Sequence, residues 1–164
     1  MIDSHCHLTD PRLLEQLEAV LTRAAAAGVT RMITIGTGIN DAQDAIELCE
    51  KHSQLRCAVG IHPNYCHEAD LGDIAKIEQL ERHSSVVALG EMGLDYHYTI
   101  VPRDRQRQFF EAQLALAAGR RRNVIIHCRE AVNDALEILK GFPQRAVFHC
   151  FTGVLADAEA ILAA

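Results

Sequence analysis

The sequence predicts an α/β fold of the TIM (β/α)8 barrel type, in which parallel strands alternate with helices. Six short apolar segments, rich in β-branched residues, are separated by longer amphipathic segments. Their continuous apolar character indicates strands that are buried on both faces, as in a parallel sheet covered by helices. The first segment ends in His-Cys-His, where an open doubly wound sheet would usually carry a glycine-rich phosphate loop. We therefore favour a barrel, covering about the first six βα units.

The predicted elements follow one another in a regular βα order. The predicted strands span residues 2–7, 30–35, 55–61, 86–90, 123–127 and 145–149. The predicted helices span residues 11–27, 40–52, 72–82, 103–121 and 131–140, with a last helix beginning near Leu155. A full barrel typically needs about 250 residues. We expect residues 1–164 to form a single domain that is either a fragment or an incomplete barrel.

Composition limits the classes of protein and partner. The chain has 164 residues, 49% of them hydrophobic, which is typical of a globular domain. Its formal net charge of −6 is unlike the basic face of a tight, sequence-specific DNA-binding protein, although an enzyme that grips phosphates through metal ions remains compatible with it. No apolar run reaches the roughly 20 residues of a membrane span, and no secretory signal is present. We expect a cytoplasmic protein with six free cysteines and no membrane partner.

Two histidines at the end of the first strand form the first candidate metal site. His5 and His7 are two positions apart, so on a strand their side chains point to the same face, roughly 6.5 Å apart. On a helix the same spacing would direct them apart. The pair can converge on one metal ion, although alone it is equally compatible with two incidental polar residues.

Further ionisable residues occur at the ends of the other predicted strands. In barrels, functional groups collect at the carboxyl ends of the strands. Four imidazoles and a carboxylate suit a transition metal such as zinc or manganese, and a carboxylate can bridge two ions. Two divalent ions, of zinc, manganese or magnesium, can clamp a phosphodiester and activate water. The residues at the ends of strands three to six are His62, Glu91, His127 and His149.

Five sequence blocks resemble, in the same order, the signature blocks of the TatD family of metal-dependent deoxyribonucleases. The similarity covers essentially the whole chain, and the blocks are far more specific together than His-x-His is alone. The blocks are IDSHCHL at 2–8, VGIHP at 59–63, GEMGLDY at 90–96, IHCRE at 126–130 and HCFTG at 149–153.

The resemblance implies a TIM barrel and metal-dependent hydrolysis, often of DNA from a 3′ end. It implies that His5 and His7 hold one ion, that His127 and His149 hold the other, and that Glu91 bridges them. It also places His62 and Arg129 near the substrate phosphate, so that Glu91, His62 and Arg129 are the predicted catalytic residues.

The sequence departs from the family in one respect and leaves other functions open. The family has a further Glu-Thr-Asp-Ala-Pro-like block after the seventh strand, whose Asp is a metal ligand, and this chain ends before it. We therefore expect weak activity and self-association through exposed sheet edges. Alternatives are hydrolysis of an amide or ester, including an aminoacyl-tRNA, or an inactive truncated relic. A Lys in place of Glu91 would have favoured the amidohydrolase version.

Overall fold

The computed structural model describes residues 1–142 and 145–164, and in this part of the chain six parallel strands form one sheet. The strands are β1 (Ile2–Cys6), β2 (Arg31–Ile35), β3 (Leu55–Val59), β4 (Val86–Asp95), β5 (Val124–Arg129) and β6 (Ala146–Phe148). The α-helices are α1 (Pro11–Leu14), α2 (Leu17–Ala26), α3 (Ile39–Lys51), α4 (Ile74–Leu80), α5 (Arg103–Arg120), α6 (Val132–Leu139) and α7 (Leu155–Ala163). Two 3-10 turns, Pro63–Glu68 and Leu71–Asp73, connect β3 to α4.

The order of the strands confirms the predicted barrel architecture. The strands lie in the sheet in the order β1 to β6, which is also their order in the sequence, and every neighbouring pair is parallel. In a doubly wound sheet the strand order reverses at a switch point. The described sheet has no reversal, so it curls in one direction like the first part of a barrel, with β1 and β6 at its edges.

The sheet is covered by apolar side chains on both faces. Along β3, Leu55, Cys57 and Val59 belong to the main core between sheet and helices, whereas Ala58 lies in a second, smaller cluster. This alternation follows from the two-residue period of a strand. The smaller cluster is an interior layer of the kind that fills a barrel. It is formed by one residue from each of four neighbouring strands: Ile35, Ala58, Ala88 and Ile125.

Strand β4 extends further than predicted. The predicted strand ends at Gly90, but the structure continues it to Asp95. Gly90 and Gly93 adopt φ angles of +134° and +139°, which side chains disfavour. A Cβ on Gly93 would lie 2.0 Å from the carbonyl oxygen of His127, so this glycine permits the close approach of β4 to β5. The predicted end at Gly90 was wrong because both glycines lie within β4, where their φ angles allow the strand to continue beside β5.

The helices before β2 and β4 also differ from prediction. Residues 11–27 were predicted as one helix, but α1 and α2 are separated at Gln16, whose φ and ψ of −127° and 28° are not helical. Helix α2 buries Leu17 and Leu21, whereas α1 has no buried residue. The predicted helix 72–82 begins instead with the second 3-10 turn. The ends of the other elements agree with prediction to within a residue or two, the usual scatter of such boundaries.

The structure also shows the state of the cysteines and the character of the helices. All six cysteines carry free thiols, as predicted. Burial raises the pKa of the Cys6 and Cys66 thiols to about 12, so both are uncharged at neutral pH and pack as apolar groups. Across the described residues, no helix combines the length and apolar character needed to cross a membrane.

Candidate active site

The structure brings the six predicted ligand and catalytic positions other than Arg129 to one end of the sheet. His5 lies in β1, and His7 follows that strand directly. Glu91 and His127 lie within β4 and β5, while His149 follows β6. His62 caps the first 3-10 turn, and its Nδ1 accepts a hydrogen bond from the Asn64 backbone. Residues from widely separated parts of the sequence therefore meet at the carboxyl ends of the strands, as in barrel enzymes.

Glu91 is the centre of this cluster. Its side chain is only 2% exposed, and five imidazoles surround its two carboxylate oxygens. The closest contact is from His149 Nε2, 2.5 Å from Oε1, and His127 Nδ1 lies 2.9 Å from the same oxygen. Oε2 lies 3.4 Å from His5 Nε2 and 3.9 Å from His7 Nε2, and Oε1 lies 3.6 Å from His62 Nε2.

The imidazoles form two groups around Glu91. His5, Glu91 and His149 offer ligand atoms within 4.8 Å of one another, and so do His62, Glu91 and His127. The rings of His5 and His149 stack, with centroids 3.7 Å apart and planes 3° from parallel. This grouping differs from the pairs implied by the family resemblance, in which His5 shares an ion with His7 and His127 with His149. Which imidazoles share an ion therefore remains a prediction.

The chemistry of the cluster fits divalent metal ions. Neutral imidazoles and a carboxylate are the nitrogen and oxygen ligands that zinc and related ions prefer. His5 Nε2 lies 3.2 Å from His7 Nε2, so with the ring protons on Nδ1 two lone pairs would face one another beside the same carboxylate. A cation between such atoms would satisfy them together. Glu91 belongs to both groups, so its carboxylate is placed to contact two ions.

The protonation states of Glu91 and His62 favour metal binding. Burial opposes ionisation of Glu91, but hydrogen bonds from His127, His149 and His5 outweigh it and hold its pKa well below the usual range. Burial lowers the pKa of His62 to about 4, against the opposing charge of Glu91. Near neutral pH the carboxylate is therefore charged and the His62 imidazole neutral, which are the forms that bind metal.

Asp95 is a functional candidate that the sequence analysis missed. It is 1% exposed, and its Oδ2 lies 2.8 Å from His127 Nε2, on the other side of the ring from Glu91. The same oxygen accepts a hydrogen bond from Asn64 Nδ2. Residues i and i+4 of a strand share a face, so Glu91 and Asp95 would have been paired had β4 been predicted to continue past Gly90.

Arg129 does not join this cluster. It lies at the end of β5, and its guanidinium carbon is 5.2 Å from the centre of the Tyr98 ring. It lines a neighbouring cavity that is also formed by Arg103 and Asp134, rather than the cleft over Glu91. Its predicted contact with the substrate phosphate is therefore not evident from its position.

An open cleft of about 500 Å³ gives access to the cluster, a volume in the range of small-molecule sites. Its floor is formed by Glu91, His62, His127 and His149. Its walls come from the segments after β1, β2 and β3. A substrate in the cleft would lie directly over the candidate metal ligands.

Comparison with known protein families gives one family whose model matches almost the whole sequence. The model of a family described as TatD related DNase matches residues 2–164, almost the full chain. An uncharacterized metal-dependent hydrolase of Bacillus subtilis, YabD, is 38% identical over 156 residues. That match covers 93% of this chain and 61% of the relative.

A relative whose name states an activity gives a similar result. The 3'-5' ssDNA/RNA exonuclease TatD of Erwinia amylovora is 35% identical over 167 residues, covering 99% of this chain and 64% of the relative. The chain thus spans less than two thirds of the length of these relatives.

Solved structures agree with the sequence comparisons. The crystal structure of YJJV, a TatD homolog from Escherichia coli K12, matches with a TM-score of 0.94 and 32% identity, over 99% of this chain and 64% of that chain. An uncharacterized amidohydrolase from Saccharomyces cerevisiae matches with a TM-score of 0.87 at 21% identity, which supports the fold alone. On the family match and these similarities, the chain belongs to the TatD related DNase family.

Proposed function

We propose that this protein is a metal-dependent hydrolase that cleaves phosphodiester bonds of DNA from a 3′ end at a site with two divalent ions. The observation that carries the proposal is the position of Glu91, which is shared by two groups of imidazoles with ligand atoms within 4.8 Å. The names of the relatives, a metal-dependent hydrolase and a 3'-5' ssDNA/RNA exonuclease, support the same reaction class. The metal ligands in this proposal are His5, His7, Glu91, His127 and His149.

Each part of the cluster has a task in this reaction. Two bound ions would supply Lewis acidity, lower the pKa of the attacking water and neutralise charge on the phosphate. The Glu91 carboxylate holds both positions, and burial at 2% exposure keeps water from competing for its oxygens. His62, neutral at neutral pH and lining the cleft, is placed to accept a proton or to donate a hydrogen bond to a phosphate oxygen.

Arg129 has a different place in the proposal. Since it lines the adjoining cavity, we propose that it contacts the nucleic acid backbone away from the cleaved bond. We further propose that residues 1–164 belong to a single domain, and that its substrate in the cytoplasm is DNA or another nucleic acid.

The central test compares hydrolysis of several bonds by the same protein. A single-stranded oligonucleotide labelled at its 5′ end should be shortened stepwise from the 3′ end in the presence of zinc, manganese or magnesium, and not with a chelator. Glu91→Gln should abolish this cleavage while leaving the circular dichroism spectrum unchanged. Glu47→Gln, the same change at an exposed position of α3, is the matched control and should cleave normally.

Two other outcomes would replace the proposal. Metal-dependent hydrolysis of an amide, an ester or an aminoacyl-tRNA, without cleavage of DNA, would assign the site to a different bond. Metal binding without any hydrolysis would indicate an inactive protein. Metal-dependent DNA cleavage retained in Glu91→Gln would remove Glu91 from the site.

A further inference from the structure

A second cavity adjoins the cleft and has no role in the metal chemistry. It has a volume of about 360 Å³ and lies over the start of α3 and the turns that follow β3. Thr37, Asp41 and Tyr65 line both this cavity and the cleft over the metal ligands, so the two spaces share a wall. Asn40 and Lys76 line this cavity but not the cleft. A substrate that places a phosphate over Glu91 would therefore have space for an attached group beyond Tyr65.

Tyr65 is held firmly by its backbone while its ring stays open. Its N–H donates to the His62 carbonyl at 2.9 Å within the turn Pro63–Glu68. The next residue, Cys66, is 1% exposed, and its carbonyl accepts a hydrogen bond from Arg105 Nε at 2.8 Å. Tyr65 nevertheless remains 45% exposed, with its ring centre 5.7 Å from that of His62. In the described part of the chain, no hydrogen bond to its hydroxyl is present.

The charges around the second cavity favour a neutral group over a phosphate. Asp41, Glu68 and Asp73 contribute three carboxylates to its lining, against the single ammonium group of Lys76. Lys76 is paired with Asp73 at 2.8 Å, and Asp41 accepts hydrogen bonds from Thr37. A second phosphate here would meet a net negative surface, whereas an uncharged, planar group with polar edges would not.

We infer that Tyr65 and this cavity bind the base of the 3′-terminal nucleotide, with the Tyr65 ring stacked on the base. The inference rests on the proposed function and adds to it a recognition site for one part of the substrate. An exposed aromatic ring on a hydrogen-bonded turn, 5.7 Å from the ring of His62, suits stacking, which accepts any base because every base has a π face. The base must be unpaired to enter, so the site selects single-stranded or frayed ends.

Binding measurements test this role independently of turnover. The probe is a five-nucleotide single strand with a phosphorothioate last linkage, which resists cleavage, measured by fluorescence anisotropy with magnesium present. A second probe has the same sequence but lacks the 3′-terminal base. The variants are Tyr65→Leu, which removes the aromatic ring, and Tyr65→Phe, which keeps it.

The inference expects a loss that depends on the terminal base. Tyr65→Leu should weaken binding of the complete strand by about tenfold or more. It should bind the strand without the terminal base as wild type does, and Tyr65→Phe should bind both probes as wild type does. A third probe, which lacks an internal base instead, should still show the loss in Tyr65→Leu.

Each contrary outcome has a distinct meaning. Equal weakening of all three probes in Tyr65→Leu would mean that the residue only supports the structure, and this overturns the inference. Unchanged binding of the complete strand by Tyr65→Leu would also overturn it while leaving the proposed function intact. If wild type binds none of the probes with magnesium, zinc or manganese, the proposed function fails, and the inference fails with it.

Discussion

Replacing Asp95 by Asn should weaken metal binding without disturbing the fold. Asp95 Oδ1 accepts hydrogen bonds from the backbone N–H groups of His97 and Tyr98, at 3.1 and 3.2 Å, and an Asn side chain keeps an oxygen there. The other oxygen, Oδ2, faces His127 Nε2 at 2.8 Å and Asn64 Nδ2 at 3.1 Å. In the variant this oxygen becomes an NH2 group, which donates rather than accepts. The substitution therefore acts on the His127 side of the residue.

The expected magnitude follows from the protonation of His127. An ion beside Glu91 would need the lone pair of His127 Nδ1, which requires the ring proton on Nε2, where Asp95 Oδ2, 2.8 Å away, accepts it. Opposite an Asn NH2 group, Nε2 must accept, and the ring proton moves to Nδ1, where it blocks coordination. Loss of such an orienting partner typically weakens metal affinity by about 10- to 100-fold, or about 1.4 to 2.8 kcal/mol.

Isothermal titration of zinc or manganese into the metal-free protein measures this change. Asp44→Asn, the same substitution at an exposed position of α3, should bind metal like wild type, and circular dichroism should show all three proteins folded. Unchanged affinity in Asp95→Asn would refute the positioning role. A loss far beyond about 100-fold would also refute it, since a residue of that importance would be a direct ligand.

Three further predictions concern the metal ligands, the close approach of β4 to β5 at Gly93, and the edge of the sheet. The double substitution His5→Ala/His7→Ala removes two donors beside Glu91 and should lower the metal content of the purified protein, measured by mass spectrometry; equal content in both proteins would contradict the assignment. Gly93→Ala should reduce the free energy of unfolding in urea by about 3 kcal/mol or more, because its Cβ would clash with a backbone oxygen at a φ of +139°; a loss below about 1 kcal/mol would show that the strands separate easily. The protein should self-associate in analytical ultracentrifugation through its exposed edges, and Val147→Lys, at a 54% exposed position of β6, should shift it toward monomer; a wild-type monomer at all concentrations would overturn this expectation.

The order of strands and helices, and the residues whose side chains meet around Glu91, could be predicted from the sequence. His127 and His149 each follow a short apolar run, and parallel strands place such positions at one edge of the sheet. Glu91 was identified for the same reason, although its strand was predicted to end one residue before it. The period of the apolar runs and the common direction of the strands carry this information.

The finer arrangement depends on features that a sequence pattern does not express. Asp95 was missed because Gly90 and Gly93 resemble strand ends, whereas their φ angles allow β4 to run on beside β5. The stacking of His149 on His5 depends on how far the sheet curls between its two edges. Arg129 was placed near the phosphate by resemblance; in the structure it lines the adjoining cavity, and its contact with the phosphate stays a prediction.

The stacked rings of His5 and His149 have a consequence for how the protein assembles. One ring belongs to the first strand and the other follows the sixth, and these strands are not hydrogen-bonded to each other. An ion held by both rings would join β1 to the segment after β6 and close the long loop between them. This link forms only after β2 to β5 are in place between them, so ion uptake would report the formation of the six-stranded sheet. It would also bind the folded chain in preference to the unfolded one, and a chelator would loosen the whole sheet rather than the site alone.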